Sequence, residues 1–177
     1  SPRWMQGAKE QVQRESEEET LEAMSLHIAN LVEENPDLML VWGSGGTLRQ
    51  MCKQNGHEST LLGIDIQHAG KMYNDLNESG LLEIINQHQG EIKLLLSPMG
   101  GQGFLIGRGN LQLSPDVLRA IGTDNILGIA TPAKLLGLNE LRIDTGDEDL
   151  DAEIRGRKYL KVLQGYRTTR VIRVAND

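Results

Sequence analysis

Two glycine-rich segments carry residue types that are suited to bind phosphate. They span residues 43–47 and 100–110, and their candidate ligands are Gly43, Ser44, Gly45, Gly46, Thr47, Gly100, Gly101, Gln102, Gly103, Arg108 and Asn110. Glycine lets backbone N–H groups approach an anion, while hydroxyl groups and a guanidinium add hydrogen-bond donors. We predict that both segments contribute to one anion site. A mobile surface loop remains the alternative for a single glycine-rich segment.

Three carboxylates and one lysine are further candidates for nucleotide binding. Asp65 follows Gly45 by twenty residues, which is where dinucleotide-binding folds place the acid that holds a ribose hydroxyl. Asp144 and Asp147 flank a predicted turn, where they could hold a magnesium ion or a sugar hydroxyl. Lys134 could pair with a phosphate. The structural alternatives are a surface carboxylate or helix cap for Asp65, Asx turns and caps for the pair, and a solvated lysine.

No metal site and no nucleophilic triad is predicted from the spacing of the residues. The four histidines are scattered through polar surroundings, and none has zinc-ligand spacing with the single cysteine, Cys52. No serine lies in a nucleophile elbow. These patterns leave phosphate binding as the chemistry that the sequence favours.

Short apolar runs alternate with helical stretches along most of the chain. The first four runs are residues 38–42, 60–66, 92–96 and 125–130, and this alternation is typical of a parallel sheet covered by helices on both faces. Two later runs, 159–163 and 171–174, flank Gly165-Tyr166 and predict a C-terminal antiparallel pair. We therefore predict a Rossmann-like α/β fold. Its topology would gather loops 43–47, 65–70, 97–114, 131–134 and 144–147 at one edge.

The chain divides into a short polar segment and one domain. Residues 1–15 are polar and aperiodic, so we predict a tail or linker remnant there. Ser16 and Glu19 have the spacing of a capping box that would begin a helix. Residues 16–177 are enough for a single α/β domain with its own core.

The composition of the chain restricts the classes of partner and the cellular compartment that we expect. The net charge of -7 and the pI near 5.1 argue against nucleic acid or an anionic membrane as a partner. A lone cysteine fits a reducing cytoplasm, and no apolar run is long enough to span a bilayer. We expect a cytoplasmic protein that binds a small nucleotide and could form a homo-oligomer.

The pattern of motifs resembles the ATP-NAD kinase-like family, which includes the acetoin-catabolism protein X relatives. The most specific segment reads Met99-Gly100-Gly101-Gln102-Gly103, then Gly107-Arg108-Gly109-Asn110, Gln112 and Ser114-Pro115. Further matches follow in order at 43–47, 60–65, Lys134-Leu135, 144–147 and Gly165-Tyr166. Two places depart: the family more often has Pro-Gly-Ser-Thr at 44–47 and a histidine at Phe104.

The resemblance implies the carboxyl-terminal half of a kinase that moves the ATP γ-phosphate to the 2′-hydroxyl of NAD. The substrates would be NAD and ATP with magnesium, none tightly bound. The family's GGDGT motif belongs to the amino-terminal half and is absent here, so we expect this chain alone to be inactive and the missing half to be its partner. Two alternatives stay open: a sugar-phosphate isomerase-like domain, and a non-catalytic ligand-sensing or assembly domain.

Overall fold

The computed structural model describes residues 3–107 and 110–177, with the side chains of residues 3–5 and 12–15 outside the description. Its helices are α1 Arg3–Glu34, α2 Gly46–Gln54, α3 Glu78–Gln87, α4 Pro115–Ile121, α5 Pro132–Leu136 and α6 Glu148–Gly156. Its strands are β1 Met39–Trp42, β2 Ile64–His68, β3 Lys71–Leu76, β4 Ile92–Leu96, β5 Phe104–Ile106, β6 Ile126–Ile129, β7 Glu140–Ile143, β8 Tyr159–Gly165 and β9 Thr168–Val174. A short 3-10 turn, Thr123–Asn125, precedes β6.

All of these strands belong to one mostly parallel sheet, in the order β3-β2-β1-β4-β6-β8-β9-β7-β5. Strands β1, β4, β6 and β8 run parallel to one another, as do β9, β7 and β5. The antiparallel pairs are β1–β2, β2–β3 and β8–β9. The predicted α/β class and the C-terminal antiparallel pair are therefore confirmed.

Helices cover both faces of the sheet because its central strands are apolar on both sides. In β1, Leu40 and Trp42 face a core with Met24 and Ile28 of α1 and residues of α2. The alternate residues, Met39 and Val41, face the larger core formed with α3, α4 and α6. A strand that is buried on both faces reads as a continuous apolar run, which is why β1 and β4 were predictable from sequence.

The first helix begins at Arg3, so the predicted helix start at the Ser16 capping box is wrong, and the segment for which we predicted a tail or linker remnant is helical from Arg3 onwards. Ser16 lies inside the helix, where its carbonyl accepts a hydrogen bond of 2.8 Å from the hydroxyl of Thr20. Residues 6–11 are exposed, so burial does not hold them helical. Their Gln, Lys, Glu and Ala side chains are good helix formers. None of the described helices has the length and apolarity needed to cross a membrane.

Four elements differ from the sequence-based expectation. Strand β2 runs antiparallel to β1, although its apolar run predicted a parallel neighbour. Strand β3 is a largely exposed edge strand without apolar alternation, and β5 has only three residues, so neither gave a sequence signal. Helix α6 follows the acidic turn at 144–147. Ser114 and Thr131 begin α4 and α5, where their side chains accept from Val117 N and Lys134 N.

The connection between β4 and β5 positions the candidate site. Strand β5 stands at the opposite end of the strand order from β2 and β3, but residues 97–103 connect it directly to β4. Leu96 of β4 and Leu105 of β5 line the same cleft, together with Ser44 after β1 and Leu62 before β2. Strand β5 therefore lies close to the carboxyl ends of β1 and β4.

Candidate functional site

A cleft of about 270 Å³ lies where the carboxyl end of β1 faces the segment that follows β5. Its described lining comprises Ser44, Leu62, Leu96, Ser97, Met99, Leu105, Ile106, Gly107, Asn110, Gln112 and Leu113. The two predicted glycine-rich segments thus meet through Ser44 on one side and Gly107 and Asn110 on the other. Ligands in open α/β sheets bind outside the carboxyl ends of the strands, which is the position of this cleft.

The first glycine-rich segment presents the beginning of α2 beside the cleft. The amides of Gly43 and Gly45 are already used, because they donate to the carbonyls of Leu95 (2.9 Å) and Leu61 (3.0 Å). Gly45 precedes α2 with φ 122°, a conformation that favours glycine, and provides no side-chain cap. The first amides of a helix have no intrahelical acceptor. The donor of this segment that lines the cleft is the hydroxyl of Ser44, and the amides of Gly46 and Thr47 begin α2 two and three residues further on.

Gly43 keeps its neighbouring strand in close contact. A Cβ at this position would lie 2.7 Å from the carbonyl oxygen of Leu95 and 2.8 Å from Cδ2 of Leu96. Glycine is thus required at Gly43 for the packing of β1 against β4. Its predicted role as a phosphate ligand remains a prediction that rests on the adjacent amides.

The second glycine-rich segment is divided between two places. Residues 100–103 form a tight turn closed by the bridge between Met99 and Phe104, and Gly101 and Gln102 line a separate open groove with Arg142. This groove lies at the amino ends of β5 and β7, where Arg142 N donates to Gly103 O. Of the described residues of the segment, the later ones, Leu105, Ile106, Gly107 and Asn110, line the cleft. The predicted residue Arg108 lies outside the described residues.

Asn110 shapes the loop as well as lining the cleft. Its Oδ1 accepts hydrogen bonds from the amides of Gln112 (3.1 Å) and Leu113 (2.9 Å). An asparagine that accepts from amides two and three residues on holds a compact turn. The contact keeps Gln112 and Leu113 against the cleft.

Asp65 does not point at a ligand, so its predicted role at a ribose hydroxyl is not supported. The side chain is fully buried, and its two oxygens accept from Thr60 N, Thr60 Oγ1, Asn74 Nδ2 and Asp75 N at 2.8–3.2 Å. Because β2 is antiparallel, Asp65 lies at the beginning of the strand and opposite Trp42. Its carboxylate organises the loop before β2 and the bulge in β3.

Asp144 and Asp147 are used in the turn between β7 and α6. Asp144 Oδ1 accepts from Gly146 N at 3.2 Å, and Asp147 Oδ1 caps α6 by accepting from Leu150 N at 3.0 Å. Asp144 lies beside the cleft, since its amide donates to the carbonyl of Ile106 at 2.8 Å. These contacts are an Asx turn at Asp144 and a helix cap at Asp147, the structural alternative that we gave for the two residues.

The Asp147 contacts predict a pH dependence of stability. The Leu150 amide and the Arg119 guanidinium, 3.0 Å from Oδ2, lower the pKa of the Asp147 carboxyl. A lowered pKa adds stability above the unfolded-state value near 3.9, and this stability is lost as pH falls through the folded-state value. We expect Asp147→Asn to lower the urea midpoint at pH 7 and to change it much less at pH 3. Asp149→Asn, in the same helical turn, is the control; an equal effect of Asp147→Asn at both pH values would contradict the prediction.

Two other residues take no visible part in the cleft. Lys134 is exposed on α5 and is not among the described residues that line it. Burial raises the pKa of the Cys52 thiol to about 11, so this cysteine is not a thiolate nucleophile at neutral pH.

Sequence reasoning did not single out Ser97 and Leu62 as lining residues. Ser97 directly follows an apolar strand, and this position could have identified it as a lining residue. No feature of the sequence marks Leu62 as one.

Comparison with known proteins gives one match. The family model of the ATP-NAD kinase C-terminal domain matches residues 48–174, which is more than half of the chain. The match begins inside α2, so residues 43–47 lie before it. No curated protein and no solved structure matches this chain. The chain belongs to the family of the ATP-NAD kinase C-terminal domain.

Proposed function

We propose that this chain supplies the nucleotide-phosphate subsite of an NAD kinase-like enzyme, which transfers the ATP γ-phosphate to the 2′-hydroxyl of NAD. The observation that carries the proposal is the cleft where Ser44, two residues before the α2 N-terminus, faces Gly107, Asn110 and Gln112. A helix N-terminus favours anions because its free amides and its dipole both point at them. The neutral donors of Ser44 and Ser97 suit phosphate oxygens in the same cleft.

The volume of the cleft suits a site for part of a nucleotide better than a site for a whole dinucleotide. Pockets that enclose a whole ligand measure roughly 300–1,000 Å³, whereas this cleft measures about 270 Å³. It has room for a phosphate group with its sugar more readily than for a dinucleotide. We infer that another part of the protein supplies the remaining walls.

The rim of the cleft supports this inference. The side chains of Leu62 and Leu111 are 82% and 81% exposed, and Met99 is 52% exposed. Grouped exposed apolar side chains mark surfaces that are covered in the functional assembly. We propose that the amino-terminal half of the enzyme, which carries the GGDGT motif in the family, covers this rim.

Magnesium would enter this site with the nucleotide. Phosphoryl transfer relies on metal ions that bridge the phosphates, and Mg²⁺ prefers carboxylate and phosphate oxygens. The described lining of the cleft contains no carboxylate. The described residues of the cleft therefore fit the phosphates and not the ion.

A charge placed in the cleft tests the proposal. We expect Ser44→Asp to weaken the binding of ADP or NAD by at least about tenfold, because a carboxylate within a few ångströms of a phosphate repels it. Asn86→Asp adds the same charge on an exposed part of α3 and should change affinity less than about twofold. Isothermal titration calorimetry on the purified variants measures both.

The same titrations distinguish the alternatives. Equal nucleotide affinity in Ser44→Asp and the unmodified chain would remove the cleft from nucleotide binding. Tighter binding of a pentose phosphate than of NAD or ATP would favour the isomerase-like alternative. Binding of none of the three would favour a sensing or assembly domain.

A further inference from the structure

Three potential metal ligands meet at the edge of the sheet opposite the cleft. Asp37 precedes β1, His68 ends β2 and His88 lies between α3 and β4. Strand β4 is parallel to β1 and β2 is antiparallel to both, so the end of β2 and the beginnings of β1 and β4 share this edge. Residues separated by more than fifty positions in sequence are thereby brought together.

The three side chains are close enough to bind one ion. One ligand atom from each lies within 4.8 Å of the others. His68 Nε2 and Asp37 Oδ1 are 3.1 Å apart, and the rings of His68 and His88 have centroids 4.7 Å apart. Ligand atoms on one tetrahedral zinc ion are roughly 3.3 Å apart, given metal–ligand distances of about 2.0–2.2 Å. Asp37 is exposed, so it can make the small adjustment that remains.

Neighbouring groups hold the cluster in place. His88 Nε2 lies 3.2 Å from the carbonyl oxygen of Glu91, the kind of backbone contact that orients metal-binding histidines. Glu91 is held in turn by Asn35 Nδ2 at 3.2 Å and by Lys93 Nζ at 3.3 Å. Gly90 leaves room for the ligands, because a Cβ there would overlap Asp37 Oδ2 and lie 3.0 Å from His88 Nε2.

We propose that Asp37, His68 and His88 bind one divalent transition-metal ion, with Zn²⁺ as the ion of choice. Two imidazoles and one carboxylate are ligands typical of zinc and of other first-row transition metals, whereas Mg²⁺ and Ca²⁺ prefer oxygen ligands alone. Three protein ligands leave one position for water. The ion would join the beginnings of β1 and β4 to the end of β2, at the edge away from the cleft and independently of nucleotide binding.

Zinc titration of the purified chain tests the site. We expect one Zn²⁺ per chain, measured against a chelating indicator dye, and a rise in melting temperature with Zn²⁺ but not with Mg²⁺, since binding to the folded state stabilises it. His88→Gln and Asp37→Asn should each weaken Zn²⁺ binding at least about tenfold. His57→Gln removes a histidine outside the cluster and should bind as the unmodified chain does.

Three outcomes would overturn the site. The first is the absence of stoichiometric Zn²⁺ uptake by the unmodified chain. The second is unchanged affinity in both Asp37→Asn and His88→Gln, and the third is an equal loss of affinity in His57→Gln; either of these would place the ion elsewhere. Circular dichroism without metal shows whether each variant is folded, and Asp37→Asn, at an exposed position, keeps the test decisive if His88→Gln does not fold.

Discussion

Replacing Asp65 with alanine is expected to lower the free energy of unfolding by about 3–5 kcal/mol. The carboxylate is fully buried and accepts from the backbone amides of Thr60 and Asp75, each at 2.8 Å. Alanine would leave these donors without an acceptor, and each buried unsatisfied donor costs roughly 1–3 kcal/mol. Equilibrium urea denaturation measures the change as a lower midpoint with an unchanged slope.

Two further variants test whether the loss of stability comes from removing the buried acceptor oxygens of Asp65. Asp116→Asn alters an exposed carboxylate in the first turn of α4 and should cost no more than about 1 kcal/mol. Asp65→Asn keeps one acceptor oxygen but turns an amide N–H₂ towards the donors, so a clear though smaller loss than for alanine is expected. An Asp65→Ala protein as stable as Asp116→Asn would show that the carboxylate does not organise the loop.

No NADP formation is expected from residues 1–177 alone. Phosphoryl transfer depends on positioning and on neutralising charge around both substrates, and the described cleft lining provides neither a carboxylate nor space for two nucleotides. Incubation of the purified chain with ATP, magnesium and NAD, followed by an enzymatic NADP assay over hours, tests this. We expect a rate indistinguishable from that of a sample without protein.

The informative comparison uses a longer protein, as the proposed function requires. A protein that carries the amino-terminal half with the GGDGT motif should form NADP, and Ser44→Asp within it should reduce the rate. Clear NADP formation by the present chain, abolished by Asp147→Ala, would contradict the proposal and place catalysis at the turn before α6.

The sequence alone determined the central strands, most of the helices and the family. Strands β1, β4 and β6 are continuous apolar runs, and the helices α4 and α5 begin at Ser114-Pro115 and Thr131-Pro132. These signals are local, because burial on both faces and capping are decided by a few adjacent residues. The glycine-rich signature is local in the same sense, and it matched the family found by comparison.

Tertiary structure alone decided what those residues face. The loop before β2 and the bulge in β3 enclose Asp65, so this candidate ligand is a buried acceptor, and the return of β5 divided the 100–110 segment between a cleft and a separate groove. The approach of Asp37, His68 and His88 likewise follows from strand order and direction. Pairing between distant strands depends on the whole core and not on neighbouring residues, so no spacing in the sequence could reveal it.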